Sequence, residues 1–437
     1  MPLLPPDHPE RRVLADEVHA RPPEALPTPV RATYVAVLVD ADAREAELQH
    51  LTRLCLRHDL APPPAGVTQF SADLGALRFK WERHGEFSGY TLIAAGAAAA
   101  GICPFAAPAT DSLPEGWLAA LPGHAVAAAH AVLLPCPRTP PDLASLGPHF
   151  AGNTVVGSAV GAGAGYVFTD FRIHADGCSR FLLLDSSFTP NQAGRMLQRL
   201  FEIDAYRMLA LLALPIARRQ SPRIVAIERA LARLTDGIAG EEGREEDLLH
   251  ELTRLAAEVE AGLAASQFRF GACRAYSDLV RTRISELRES RLPGLQTIEE
   301  FMARRFTPAV TTCATVSQRL LDLSERVAQA SGLLATRVGI ARERQNQSLL
   351  ASMDRRASLQ LRLQQTVEGL SVAAIAYYVV GLLGYLAKAA KASGVPVDPD
   401  IAMGVAIPLV AAAVLLAVRR SRRHINAAEA QEIRAAD

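Results

Sequence analysis

Two long apolar stretches near the C-terminal end dominate the pattern of hydrophobic and polar positions. Residues 369–387 run for 19 positions without a charge, and residues 401–418 run for 18. As α-helices they would reach about 27–29 Å, close to the ~30 Å hydrocarbon thickness of a bilayer. The pattern therefore predicts a transmembrane hairpin over residues 366–418, with a helical hairpin buried inside a soluble protein as the alternative.

Charges around the two stretches predict the orientation of the hairpin. Five arginines against two acids lie within residues 342–365, and four arginines lie within residues 419–423, whereas the connecting loop carries two lysines and two aspartates. The positive-inside rule therefore predicts that both termini are cytoplasmic, with residues 419–437 as a basic cytoplasmic tail. Residues 1–12 carry prolines and charges instead of an apolar core, so no export signal is predicted.

Strand-like and helix-like patterns alternate over residues 30–188. Apolar and β-branched runs predict strands at residues 30–39, 67–72, 77–81, 90–94, 125–134, 154–160, 166–174 and 181–185. Apolar residues at helical spacing predict helices at residues 41–60 and 115–121. An Ala-Asp-Gly turn at residues 175–177 predicts that the last two strands form an antiparallel hairpin. We therefore expect an α+β domain after an extended N-terminal segment, residues 1–29.

Helical periodicity replaces the strand pattern after residue 188. Helices are predicted at residues 191–214, then up to residue 234, and at residues 247–265, which makes residues 189–308 a helical domain. No proline occurs between Pro308 and Pro396, so one helix is predicted from about residue 309 to 387. The predicted fold class is an α+β cytoplasmic domain, then a long-helix bundle or coiled coil with a stalk over residues 309–365, and a C-terminal two-helix transmembrane hairpin.

An apolar seam runs along the first half of this long helix. Its residues recur at 4-3-4-3-4 spacing, which is typical of a coiled coil. They are Val316, Leu320, Leu323, Val327, Ala330 and Leu334. Two interpretations follow: the seam packs against other helices of the same chain, or it pairs subunits of a homo-oligomer.

Composition narrows the classes of partner. The chain has 46 basic and 46 acidic residues and no long basic stretch, so nucleic acid is not an expected partner. Its six cysteines lie far apart and form no Cys-x-x-Cys pair or Cys/His spacing suited to zinc. Such scattered thiols fit a reducing compartment, and no metal site is predicted.

Several short stretches combine titratable side chains into a candidate polar cluster. Its members are His19, Arg21, Trp81, Glu82, His84, Asp170 and Arg172. A histidine beside a carboxylate can act as a general base or metal ligand, but charged neighbours on a strand also commonly form a solvated face. No serine-hydrolase, zinc-protease, P-loop or kinase motif occurs, so no catalytic or cofactor-binding residue is assigned.

A glycine run and an arginine-rich helix give two further candidates. The run GAGAG at residues 161–165 lies before a predicted strand, whereas a dinucleotide fingerprint needs a helix there, so a tight turn is favoured. Arg195, Arg199, Glu202 and Arg207 lie three to five residues apart on the helix after the sheet. They are interpreted as a helix-surface ion pair or as an anion or interdomain site.

Several runs, taken together, resemble one family, the bacterial membrane-anchored proteins of unknown function grouped as DUF3422. The runs are LADEVHARP (14–22), KWERHGEF (80–87), TDFR (169–172), GRMLQRLFEIDAYRMLALLALP (194–215), EEFMARRFTP (299–308) and the stretch from QNQSLL to AIAYY (345–378). The resemblance implies a soluble domain, long helices and a C-terminal anchor in the bacterial inner membrane. It implies no catalytic residue.

The order of parts is also similar to that of CorA-type divalent cation channels. Their Gly-Met-Asn pore signature is absent, because the corresponding stretch reads Gly384-Tyr385-Leu386-Ala387. Three functional hypotheses remain. The first is a self-associating scaffold or sensor in the inner membrane that presents its α+β domain to a cytoplasmic protein. The others are a CorA-like channel and a membrane-tethered enzyme, the last of which predicts a pocket joining His84 to the Asp170 loop.

Overall fold

The computed structural model describes most of the chain and divides it into two compact units. The described residues are 5, 7–19, 22–64, 66–99, 101–137, 143–240, 244–394, 396 and 398–436, without the side chains of residues 17–19, 143–144, 419 and 421–436. The units are Met1–Leu334 and Ala335–Asp437.

A nine-stranded mixed sheet organises the first unit. Its strands are β1 (Val30–Leu38), β2 (Gln69–Asp73), β3 (Leu77–Arg83), β4 (Phe87–Ala95), β5 (His124–Pro135), β6 (Val156–Val160), β7 (Gly165–Thr169), β8 (Ser179–Asp185) and β9 (Ser290–Arg291). The spatial order is β2-β3-β4-β1-β5-β8-β7-β6-β9. Neighbours are antiparallel except β5 and β8, which run parallel. The α+β prediction is confirmed.

Helices cover both faces of this sheet. Helix α1 (Arg11–His19) lies in the N-terminal 29 residues, which are therefore not extended throughout. Helix α2 (Arg44–Arg57) follows β1 and buries Leu51 and Leu54 in a core with Phe79, Trp81 and Tyr90. On the opposite face, Phe201 of α4 (Pro190–Leu211) stacks on Tyr34 of β1 with ring centroids 5.2 Å apart. A short helix α3 (Leu143–Leu146) precedes β6.

Local backbone chemistry explains where predicted elements end early or do not form. Residues 115–120 form turns instead of the predicted helix, because Gly116 has a φ of 73°. The strand predicted at 166–174 ends at Thr169, since Phe171 has a φ of 51° and the Asp170 carboxylate accepts a hydrogen bond from the Arg172 amide. The GAGAG run connects β6 to β7 as an antiparallel turn, as favoured.

The remaining helices follow the sheet in sequence. They are α5 (Ala213–Ala239), α6 (Glu245–Leu287), α7 (Ile298–Arg305), α8 (Thr307–Ala392) and α9 (Pro399–Ala436). Helix α4 begins with a capping box between Thr189 and Gln192, and Pro190 occupies its first turn. The break between α4 and α5 falls at Leu212 because the ring of Pro215 clashes with the carbonyl four residues earlier.

The apolar seam of α8 packs within the chain. All six seam residues are buried, between 1% exposed at Leu320 and 5% exposed at Val327. Gly262 of α6 gives Leu320 room to approach, and Arg319 forms an ion pair with Glu228 of α5 at 2.6 Å. Burial within one chain favours the same-chain interpretation, while the use of Val316, Leu320, Leu323, Val327 and Leu334 as an oligomer seam stays an untested prediction.

The second unit contains the two stretches predicted to span a membrane. Both helices are long and apolar enough to cross a bilayer, and their apolar parts are almost entirely unburied within the chain. Where α8 and α9 meet, a Cβ added to Gly384 would lie 2.5 Å from the sulfur of Met403. Gly384 therefore permits the close helix contact expected of small residues in such segments.

Candidate functional site

The strand part of the candidate polar cluster lies on both faces of β3. Lys80 and Glu82 face α4 and form a buried ion pair at 3.0 Å. They share a cavity of about 50 Å³ with Tyr34 and His84, and burial in this region raises the pKa of Tyr34. The volume admits only a few water molecules, so this cavity is too small for a substrate.

The Trp81 side chain lies on the other face of the sheet, in the hydrophobic core. The Glu47 carboxylate is fully buried and accepts hydrogen bonds from Trp81 Nε1 at 3.0 Å and Tyr90 Oη at 2.6 Å. Arg83 lies 3.5 Å from the same carboxylate. Because Glu47, Trp81 and Tyr90 are fully buried and Arg83 is largely buried beside them, we assign this cluster a structural role.

The loop after β7 forms a separate polar cluster. Asp170 is buried, lies 3.0 Å from His174 Nε2 and accepts a hydrogen bond from Asn153 at 2.8 Å. Asp170 is not among the residues that line the His84 cavity, so that cavity does not join the two as the enzyme hypothesis expected. The predicted His19 and Arg21 side chains lie outside the described part of the chain.

The arginine-rich face of α4 meets the end of α6. Arg199 pairs with Glu286 at 2.9 Å, and Arg283 bonds both Glu202 and Glu286. Arg207, the fourth predicted member, lies apart from this network. It pairs with the buried Asp204 at 2.6 Å, and its guanidinium stacks over Phe171.

A pocket of about 360 Å³ opens beside this network. Its lining includes Arg195 and Arg199 of α4 and Arg288 at the end of α6, with Glu286 as the one acidic residue. Glu286 is already paired with Arg199, whereas Arg195 and Arg288 have no acidic partner among the described residues. Two positive charges therefore remain uncompensated around a volume of small-molecule size.

The sequence missed the residues that α6 adds to this pocket. The helix predicted to end at residue 265 extends to Leu287, which brings Glu286 and Arg288 to the pocket and Arg283 to the neighbouring ion-pair network. A signal was present, because Glu286 follows Arg283 at the i+3 spacing of a helix-surface pair.

A comparison with family models identifies the family of this chain over nearly its full length. A family model described as a protein of unknown function, DUF3422, matches residues 6–425. The chain belongs to the DUF3422 family. Comparison with curated proteins and with solved structures finds no match.

Proposed function

We propose that this DUF3422 protein is a membrane-anchored sensor of the bacterial inner membrane that binds a small anion, self-associates, and signals to a cytoplasmic protein. The observation that carries the sensor role is the arginine pocket, defined by Arg195, Arg199 and Arg288. The channel and enzyme alternatives have no comparable support, since no Gly-Met-Asn motif ends the first span and the His84 cavity is too small for a substrate.

The chemistry of the pocket favours a phosphate-bearing ligand. Guanidinium groups bind phosphate oxygens in a bidentate, charge-assisted manner. Arg199 is held in place by Glu286, so it presents a positioned donor, and Gln192 and Ser285 add neutral polar groups to the lining. A phosphomonoester with two negative charges would balance the charges of Arg195 and Arg288.

The binding experiment uses the full chain in mild detergent, titrated by calorimetry with inorganic phosphate and small phosphomonoesters. Removing a charge-assisted hydrogen bond costs about 1.5–3 kcal/mol, so Arg195→Ala with Arg288→Ala should weaken binding at least ~10-fold. Arg281→Ala is the matched control, because this exposed arginine of α6 lies outside the pocket lining. Equal titrations of wild type and the double variant would reject the sensor role.

Self-association is supported by a second apolar stripe, in the second unit. Leu349, Met353, Leu363 and Val367 are 53–67% exposed. Together with Arg356 and Gln360 they recur at alternating spacings of four and three residues. Covering the four apolar side chains would recover roughly 6–12 kcal/mol. Two chains anchored in the same membrane run parallel here, and polar residues inside such a stripe specify the register of pairing.

Disulfide trapping tests this pairing with two matched glutamine positions. Gln360 lies on the stripe, whereas Gln365 lies on the opposite side of a heptad repeat. Gln360→Cys should give a disulfide-linked dimer in membranes under mild oxidation, while Gln365→Cys should not. The wild type controls for the six native cysteines. Equal crosslinking at both positions would show random collision and contradict the proposed stripe.

A further inference from the structure

Three potential metal ligands from two parts of the sequence meet where β8 begins beside the middle of β5. They are His130 of β5, Asp176 in the turn before β8, and Cys178 next to the start of β8. Their donor atoms all lie within 4.8 Å of one another. His130 and Cys178 are buried, whereas Asp176 is exposed, so the cluster opens to solvent on one side.

The fold brings these residues together through the one parallel strand pair. Pairing of β5 with β8 places His130 directly opposite Arg180, so Cys178, two positions before Arg180, lies diagonally across from His130. Gly177, with a φ of 81°, allows the turn that reverses the chain before β8. The Cys178 amide donates to Asp176 Oδ1 at 3.0 Å, which holds the carboxylate over the strand ends.

The imidazole of His130 is oriented from its other side. Its Nδ1 lies 2.8 Å from the hydroxyl of Thr33, a fully buried residue of β1. This hydrogen bond occupies Nδ1 and leaves Nε2 as the remaining ligand atom of the ring. In metal-ligating histidines the ring nitrogen that does not bind the metal is usually held by a hydrogen bond in this way.

We propose that His130, Asp176 and Cys178 form a three-ligand site for Zn²⁺ or a similar transition metal ion, with a fourth position open to solvent. One nitrogen, one oxygen and one sulfur donor form a set that Zn²⁺ accepts, and three protein ligands with an open position are characteristic of reactive rather than structural zinc sites. This site is independent of the arginine pocket and of the proposed sensor role.

The geometry requires only a small movement to bind the ion. Metal–ligand bonds of about 2.0–2.3 Å place tetrahedral donors roughly 3.5 Å apart. The donor atoms, which now lie within 4.8 Å of one another, therefore need to approach by about 1 Å, and the exposed Asp176 carboxylate can move by giving up its long contact with Arg180. When the ion binds, the Cys178 thiol loses its proton to solvent and the thiolate becomes a ligand.

One cation, Arg180, lies close to the site. Its guanidinium donates to the His149 carbonyl oxygen at 2.8 Å and stacks over the ring of Phe105. Its contact with Asp176 is longer, at 3.4 Å. Arg180 is therefore held mainly by His149 and Phe105, and Asp176 can exchange the long contact for a metal bond.

The test uses the full chain purified in detergent without a polyhistidine tag, stripped with a chelator and titrated with Co²⁺ and then Zn²⁺. We expect one Co²⁺ per chain with a sulfur-to-cobalt charge-transfer band, which Zn²⁺ removes by displacement. Cys178→Ser should abolish the band. Cys136→Ser, a partly buried thiol just after β5, should keep it and is the matched control.

Asp176→Asn keeps the test decisive if Cys178→Ser does not fold. Because Asp176 is exposed, this variant should fold normally, yet it should bind Zn²⁺ at least ~10-fold more weakly and lose the rise in thermal midpoint that Zn²⁺ gives the wild type. A wild type without a charge-transfer band, or an Asp176→Asn protein that binds Zn²⁺ like the wild type, would overturn the proposal.

Discussion

Gly194 of α4 permits the N-terminal segment, residues 22–27, to pack directly on the helix. A Cβ atom added at Gly194 would lie 1.7 Å from the carbonyl oxygen of Glu24, which is far inside van der Waals contact. The segment is also tied down by the Leu26 amide, which donates to the Pro190 carbonyl oxygen at 3.0 Å. Leu26 itself is buried at 4% exposed. Gly194→Ala must therefore displace the segment.

The cost of that displacement can be worked out from its contacts. Exposing Leu26 loses about 1.5–3 kcal/mol, and losing its backbone hydrogen bond adds about 0.5–1.5 kcal/mol. The part-exposed ion pair between Glu24 and Arg78 at 3.2 Å adds at most ~1 kcal/mol. Alanine recovers about 1 kcal/mol of helix propensity. We expect Gly194→Ala to lower the free energy of unfolding by about 1–4 kcal/mol.

Urea unfolding of the full chain in detergent measures this change. Both tryptophans, Trp81 and Trp117, are buried in the sheet core, so their fluorescence reports on this domain. Gly271→Ala is the matched control, because Gly271 lies within α6 and an added Cβ there meets nothing within 4 Å. The control should stabilise by up to ~1 kcal/mol. If Gly194→Ala also stabilises the protein, the packing argument is refuted.

Three further predictions address the bundle, the core and the topology. Leu323→Glu with Val327→Glu places two charges in a seam that is buried within the chain. Light scattering coupled to size exclusion should then show aggregates and no clean monomer, and thermal unfolding should show a lower midpoint. Glu47→Ala breaks a buried charge network and should cost about 3–5 kcal/mol by urea unfolding, whereas the exposed Glu45→Ala should stay within ~0.5 kcal/mol. Ser393→Cys should react with a membrane-impermeant maleimide on intact cells, and labelling only after lysis would contradict cytoplasmic termini.

Much of the secondary structure could be predicted because it depends on neighbouring residues. The apolar run before residue 40 became β1 (Val30–Leu38), and the glycine run became a turn. The candidate sites were less predictable. Glu202 stands at i+3 from Arg199 and suggested a local pair, yet it bonds Arg283 of α6 instead. Helical spacing shows which side chains share a face, but it does not show which helix meets that face.

The sequence by itself determined the lengths of the two apolar spans, the alternation of strand and helix, and the apolar periodicity of α8. These are properties of residues within a few turns of one another. Only the tertiary structure decided that the seam from Val316 to Leu334 is buried within the chain, and that His130 and Cys178 lie diagonally across two parallel strands. The reason is physical: burial and ligand geometry depend on which surfaces pack together, and strand pairing joins segments whose separation along the chain carries no local signal.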